Sequence, residues 1–113
     1  MPLKVLYLDD ERDLCDIIAS VFSSDEIKIV IFTEPSEAIE HARKDPPDLI
    51  LLDYRIPGTS GDLVAQAMDP AIPKYLISGD LSVSANYKFE KILAKPPDFE
   101  EIQKIFEYWH GKK

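Results

Sequence analysis

The chain has 113 residues, a formal net charge of -8 and 45% hydrophobic residues. That length fits one compact domain with a single core, and the acidity excludes a basic face or arm for binding duplex nucleic acid. No apolar stretch reaches membrane-spanning length, no signal peptide is evident and the lone Cys15 cannot form an internal disulfide, so a cytoplasmic location is expected.

Lys4 to Leu8 reads as a first buried strand that runs straight into Asp9, Asp10 and Glu11. Leu14, Ile17, Ile18, Val21 and Phe22 follow at helical spacing, with the acidic cluster at the helix start, where the dipole favours negative charge. Cys15 on this helix reads as a small buried residue. Ile27 to Phe32, rich in β-branched residues, gives a second strand. Thr33, Pro35 and Ser36 then open a short helix that carries Ala38, Ile39 and Ala42 and ends at Asp45-Pro46-Pro47.

Leu49 to Leu52 is an unbroken apolar run too short for a helix, which suits a parallel strand buried on both faces. It stops at Asp53. A carboxylate in that position is costly unless water, a metal or a cation meets it, and Pro57-Gly58 and Gly61 let the chain turn out of the sheet beside it. Asp62 to Met68 allows a brief helix before Asp69-Pro70 and Pro73 interrupt it. Lys74 to Ile77 is a fourth strand that ends at Ser78-Gly79-Asp80.

The apolar residues of Leu81 to Phe89 alternate with period two, which suits a strand better than a helix and leaves that element open. Ile92 to Ala94 is a fifth strand, followed by Lys95-Pro96. Asp98 with Glu101 resembles a capping box, and Phe99, Ile102, Phe106 and Trp109 share the core face of a terminal helix that Gly111 can close. The folded core is expected over 3–110, with 111–113 as a tail. His41 and His110 are expected to be exposed helix residues with no metal role.

Strands alternating with helices predict a doubly wound α/β domain with a five-stranded parallel sheet, in which ligands bind at the carboxyl ends of the strands. The polar residues fall at those ends: Asp9 and Asp10 after the first strand, Asp53 after the third, Ser78 after the fourth, Lys95 after the fifth. Three crowded carboxylates call for a hard divalent cation, and magnesium suits them because it keeps several waters. Such a site also suits a phosphoryl group whose remaining oxygens fall to Lys95 and Ser78. Asp53 is the natural nucleophile, giving an aspartyl phosphate, and Gly79 leaves room for the incoming group.

At these residues the chain resembles the receiver domains of bacterial two-component response regulators, over essentially its whole length. The resemblance rests on the ordered set Asp9-Asp10, Asp53 with Pro57-Gly58 after it, Ser78-Gly79 and Lys95-Pro96. It implies the flavodoxin-like strand order 2-1-3-4-5 and a cis peptide between Lys95 and Pro96. It implies that Asp53 accepts phosphate from a histidine kinase or histidine phosphotransfer protein. Mg2+ (or Mn2+) would be held by Asp10, Asp53 and the Arg55 backbone carbonyl, with Asp9 helping through water. Ser78 becomes the switch hydroxyl and Lys95 the phosphoryl contact.

The protein expected from this resemblance catalyses only its own phosphorylation and dephosphorylation. It is a monomer or weak homodimer that signals to an unknown downstream protein without touching DNA or membrane. Two departures stand out. The family's switch aromatic is replaced by Ile92, and only 16 residues (79 to 94) separate Ser78 from Lys95. That is about one helical turn short, so the fourth helix is expected to be shortened or irregular.

Two rival readings go with these features. A metal-dependent phosphohydrolase also uses an aspartyl nucleophile, but it usually carries a second Asp two residues later, where this chain has Arg55. A degenerate receiver would act as a protein-binding module without phosphorylation. Arg55 and Asp80 occupy the two positions that govern water access in the family, and an ion pair between them would obstruct an attacking water. Arg55→Ala and Asp80→Ala are each expected to shorten the lifetime of phosphorylated Asp53, followed by the decay of the phosphoryl adduct; unchanged half-lives in both variants would remove the gate.

Overall fold

The computed structural model describes residues 1–80 and 85–113. In chain order its elements are β1 (Leu3–Leu8), α1 (Arg12–Phe22), β2 (Ile27–Phe32), α2 (Pro35–Lys44), β3 (Leu49–Asp53), β4 (Arg55–Ile56), β5 (Thr59–Ser60), α3 (Gly61–Gln66), β6 (Lys74–Ser78), β7 (Ile92–Ala94) and α4 (Phe99–His110). The central sheet is parallel, in the order β2-β1-β3-β6-β7. This is the expected 2-1-3-4-5 arrangement once the small antiparallel β4–β5 hairpin, which the sequence reading did not foresee, is set aside.

Alternate residues of a strand face opposite sides of its sheet, and the two cores follow that rule. Leu3, Val5 and Tyr7 of β1 join Leu49 and Leu51 of β3 beneath α1 and α4, where Cys15, Ile18, Ile102 and Phe106 close the layer. Leu6 and Leu8 join Ile50, Leu52 and Leu76 on the other face, covered by Ala38, Ala42, Val64 and Ala65 of α2 and α3. The small residues of α2 and α3 let these short helices approach the sheet closely. Among the described residues, no helix is long and apolar enough to cross a membrane.

Both longer helices form where the sequence places them, with some residues turned differently. In α1 the buried residues are Cys15, Ile18 and Phe22, whereas Ile17 and Val21 are 48% and 54% exposed. The apolar stripe is wider than the sheet can cover, and its outer edge stays in solvent. Asp98 caps α4 through a hydrogen bond from the Glu100 amide at 2.9 Å, but Glu101 turns to Lys91 and does not complete a capping box. Phe99 packs edge-on against Phe22 while remaining 37% exposed. His41 is half-buried against the Phe32 ring, and His110 is half-buried too, so neither is the exposed residue expected. The Lys113 ammonium reaches Asp48 at 2.7 Å, which ties residue 113 to the start of β3.

The crossover from β6 to β7 has no helix among its described residues, in line with the short count between Ser78 and Lys95. The period-two segment falls partly on Leu81 to Ser84, which lie outside the described residues. From Ala85 onward the alternation reports packing: Ala85, Tyr87 and Phe89 turn toward the α2/α3 core, while Asn86, Lys88 and Glu90 face solvent. Several hydrogen bonds hold this segment down, among them the Gln66 side-chain amide donating to the Asn86 carbonyl and the Glu90 amide donating to the Lys74 carbonyl, both at 2.9 Å. The Asn86 amide donates to Asp62 Oδ2 at 3.0 Å, and buried Lys74 donates to the Tyr87 hydroxyl at 2.9 Å.

Lys74 also donates to the carbonyls of Asp69 (2.6 Å) and Ile72 (2.9 Å), so all three ammonium donors are used. These hydrogen bonds offset the desolvation cost of the buried cation, and removing the ammonium leaves their acceptors to be satisfied some other way. Lys74→Met leaves two carbonyls and a phenol without this donor and is expected to cost about 2–4 kcal/mol. Lys28→Met, on an exposed position of β2, should cost less than about 0.5 kcal/mol. Urea denaturation of the two variants checks the contrast.

Candidate functional site at the carboxyl ends of the strands

Parallel pairing decides which chain ends meet. Leu8 lies opposite Leu52, so Asp9 and Asp53 leave the sheet side by side. Asp53 lies opposite Ile77 and Ser78 opposite Ala94, which brings Ser78 and Lys95 to the same end of the sheet. The Lys95–Pro96 peptide is cis.

Asp9 is fully buried, Asp53 is 2% exposed and Asp10 is exposed. One carboxylate oxygen from each lies within 4.8 Å of the others. The Lys95 ammonium bridges the buried pair, 3.3 Å from Asp9 Oδ1 and 3.1 Å from Asp53 Oδ2, and reaches Glu11 Oε1 at 2.9 Å. Asp9 is further fixed by the Tyr7 hydroxyl, which donates to Oδ2 at 2.7 Å, and by the Glu11 amide, which donates to Oδ1 at 2.9 Å.

Burial, reinforced by the Asp9 charge, pushes the Asp53 pKa up to about 7 even though Lys95 opposes the shift. For Lys95, burial works against the charge, but hydrogen bonds to Glu11 and Asp53 outweigh it and the pKa rises. The site thus concentrates negative charge that a single lysine does not fully neutralise. Its donors are hard oxygens, two of them held in fixed positions, and that set fits a magnesium or manganese ion better than a softer metal.

Ser78 is buried, and its hydroxyl engages its own turn, donating to the Asp80 carbonyl at 2.9 Å and accepting from the Asp80 amide at 3.1 Å. Gly79 and Asp80 are exposed beyond it. Arg55 is exposed on β4 and lines a shallow groove with Asp10, Tyr54, Pro57 and Thr59. No ion pair between Arg55 and Asp80 occurs among the described residues. Ile92 is half-buried and packs toward the α2/α3 core near Tyr87 and Phe89.

Three residues of the site were not foreseen. Tyr7 could have been found, because a strand residue two before Asp9 shares its side. Glu11 was grouped with the acidic cluster, but its contact with Lys95 spans most of the chain. Gly61 was read only as a turn residue, whereas a Cβ there would stand 2.5 Å from the Asp53 carbonyl oxygen. Glycine allows α3 to start directly against the backbone of β3.

The family model described as response regulator receiver domain matches residues 5–107. The chain belongs to this family. Sporulation initiation phosphotransferase F of Bacillus subtilis is 29% identical over 108 residues, covering 88% of this receiver domain and 87% of that protein. Regulatory protein VanR of Enterococcus faecium is 32% identical over 63 residues, or 56% of this chain, and the match spans only 27% of VanR. Among solved structures, response regulator TrrA of Thermotoga maritima in complex with Mg(2+)-BeF superposes with a TM-score of 0.83. The two share 19% identity, with 95% of this chain and 98% of that chain covered, which shows a common fold.

The raised Asp53 pKa makes the stability of the receiver domain depend on pH. A carboxyl whose folded pKa lies above its unfolded value binds more protons in the native state, so stability falls as pH rises toward the folded pKa. Between pH 5.5 and about 7 that is a loss of about 2 kcal/mol, at 1.36 kcal/mol per pH unit. Denaturation in chelator at pH 5.5 and pH 8 should show wild type losing about that much more than Asp53→Asn. Parallel losses in the two proteins would mean that Asp53 is ionised throughout.

Proposed function

We propose that this receiver domain is a metal-dependent phosphoryl switch in which Asp53 takes a phosphoryl group from a phosphohistidine on a kinase or phosphotransfer protein. The observation that carries the reading is the buried Asp53 carboxylate, 3.1 Å from the Lys95 ammonium and grouped with Asp9 and Asp10 at the sheet edge. In the transfer, an Asp53 oxygen forms a bond to phosphorus as the phosphorus–nitrogen bond to the donor histidine breaks, and the imidazole leaves with its electron pair.

Asp10, Asp53 and the Arg55 carbonyl would hold Mg2+ (or Mn2+), with Asp9 assisting. When bound, the ion offsets charge between an anionic nucleophile and an anionic donor. Lys95 is already poised on Asp53 and is placed to follow the charge onto the phosphoryl oxygens. Ser78, whose hydroxyl now engages the Asp80 backbone at the same end of the sheet, would donate to the same group on leaving that turn. Gly79 leaves the approach open.

Turnover of external substrates does not belong to this reading, because Arg55 stands where phosphohydrolases of the aspartyl-phosphate type place a second acid. The output is a change in protein contacts. That TrrA is recorded with Mg(2+)-BeF, and that a relative of nearly the same length is named a phosphotransferase, supports the reading. Ile92 favours a degenerate, phosphorylation-independent binding module as the second reading, since the position lacks the ring that links site to surface in the family.

Intact-mass measurement separates the two. After incubation with acetyl phosphate, wild type is expected to gain one base-labile phosphoryl group only when magnesium is present, and Asp53→Asn to gain none. A folded, magnesium-binding wild type that gains no adduct would establish the binding module.

A further inference from the structure

Tyr7 lies fully buried near the carboxyl end of β1, among apolar neighbours that make no use of its hydroxyl. That hydroxyl donates to Asp9 Oδ2 at 2.7 Å. The other carboxylate oxygen, Oδ1, receives the Glu11 amide at 2.9 Å and the Lys95 ammonium at 3.3 Å. The two oxygens of Asp9 are therefore distinguished. Oδ1 faces Lys95 and, through it, Asp53, whereas Oδ2 is tied to a phenol inside the core.

We propose that Tyr7 is a positioning residue that sets the cation preference of the acidic site, by holding Asp9 Oδ2 so that Asp9 offers the site a single oxygen. The inference rests on the metal-dependent reading of the preceding subsection and adds a reason for the choice of ion. Magnesium takes few protein oxygens and keeps its waters. Calcium collects six to eight oxygens and commonly uses both oxygens of one carboxylate. Swinging both Asp9 oxygens onto one cation pulls Oδ2 away from the Tyr7 hydroxyl and weakens the pairing of a buried donor, so two-oxygen ligation by Asp9 carries a cost that one-oxygen ligation does not. The phenol thus penalises calcium and is indifferent to an ion that asks for one oxygen or for a bridging water.

Calorimetric titration of the whole chain with magnesium chloride and, separately, calcium chloride tests this in wild type and in Tyr7→Phe, which keeps the ring and removes only the hydroxyl. The ratio of the two affinities is expected to move toward calcium by about tenfold, the size of one hydrogen bond to a charged group. A role confined to stability would weaken both ions alike and leave the ratio in place, and that result overturns the proposal.

Wild type that binds neither cation overturns the metal-dependent reading, and this proposal with it. Wild type that binds magnesium, beside a Tyr7→Phe variant of unchanged ratio, overturns the proposal alone. Should Tyr7→Phe not fold, proton NMR of wild type gives a second reading through the buried Tyr7 hydroxyl. Its signal is expected to persist at magnesium saturation, and its loss there would show that Asp9 Oδ2 is released.

Discussion

The contact on which this structure turns is the Lys95 ammonium set between two buried carboxylates, 3.3 Å from one and 3.1 Å from the other. Two like charges about 4 Å apart at an effective dielectric of about 20 repel by about 4 kcal/mol, so Asp9 and Asp53 are not stable neighbours alone. Lys95 relieves part of that repulsion. The rest remains as a raised Asp53 pKa, which marks a site built to receive more positive charge than the chain supplies.

The surrounding fold holds that imbalance in place. Leu52 and Leu8 carry the carboxylates to one edge, and the apolar layers on both faces keep the strands from splaying. Gly61 lets α3 begin against the Asp53 carbonyl, and Asp62, next in the chain, reaches across to the Asn86 amide in the β6–β7 crossover. β3 and the crossover are thus linked through two adjacent residues. This link, the Lys74–Tyr87 contact, the Gln66 side-chain amide on the Asn86 carbonyl and the Glu90 amide on the Lys74 carbonyl fasten the described part of the crossover to the sheet and α3.

Much of the fold was legible because its signals are local. Apolar runs of three or four residues marked the five main strands, and prolines marked the breaks around Asp45 and Asp69. The site was legible for a different reason: in a parallel sheet the residue after each strand arrives at a common edge, so Asp9, Asp10, Asp53, Ser78 and Lys95 could be gathered without coordinates. The spacing of Ile17 and Val21 marked the helix but not their exposure, because helical periodicity describes a stripe and does not say how much of it a neighbour covers. The Asp98 and Glu101 pair failed as a capping box because Lys91, ten residues earlier and outside the helix, competes for Glu101.

The sequence by itself determined the strand order of chemistry: which residues end strands, which loops are free to turn, and the net acidity that a cation must meet. Only the tertiary structure decided how each carboxylate is held. That Lys95 settles on Oδ1 of Asp9 and not on the oxygen Tyr7 holds, and that Lys74 closes the far end of β6 on Tyr87, follow from distances between segments that no local pattern encodes. The physical reason is that hydrogen bonds select among individual atoms over tenths of an ångström, whereas hydrophobic patterning selects only faces.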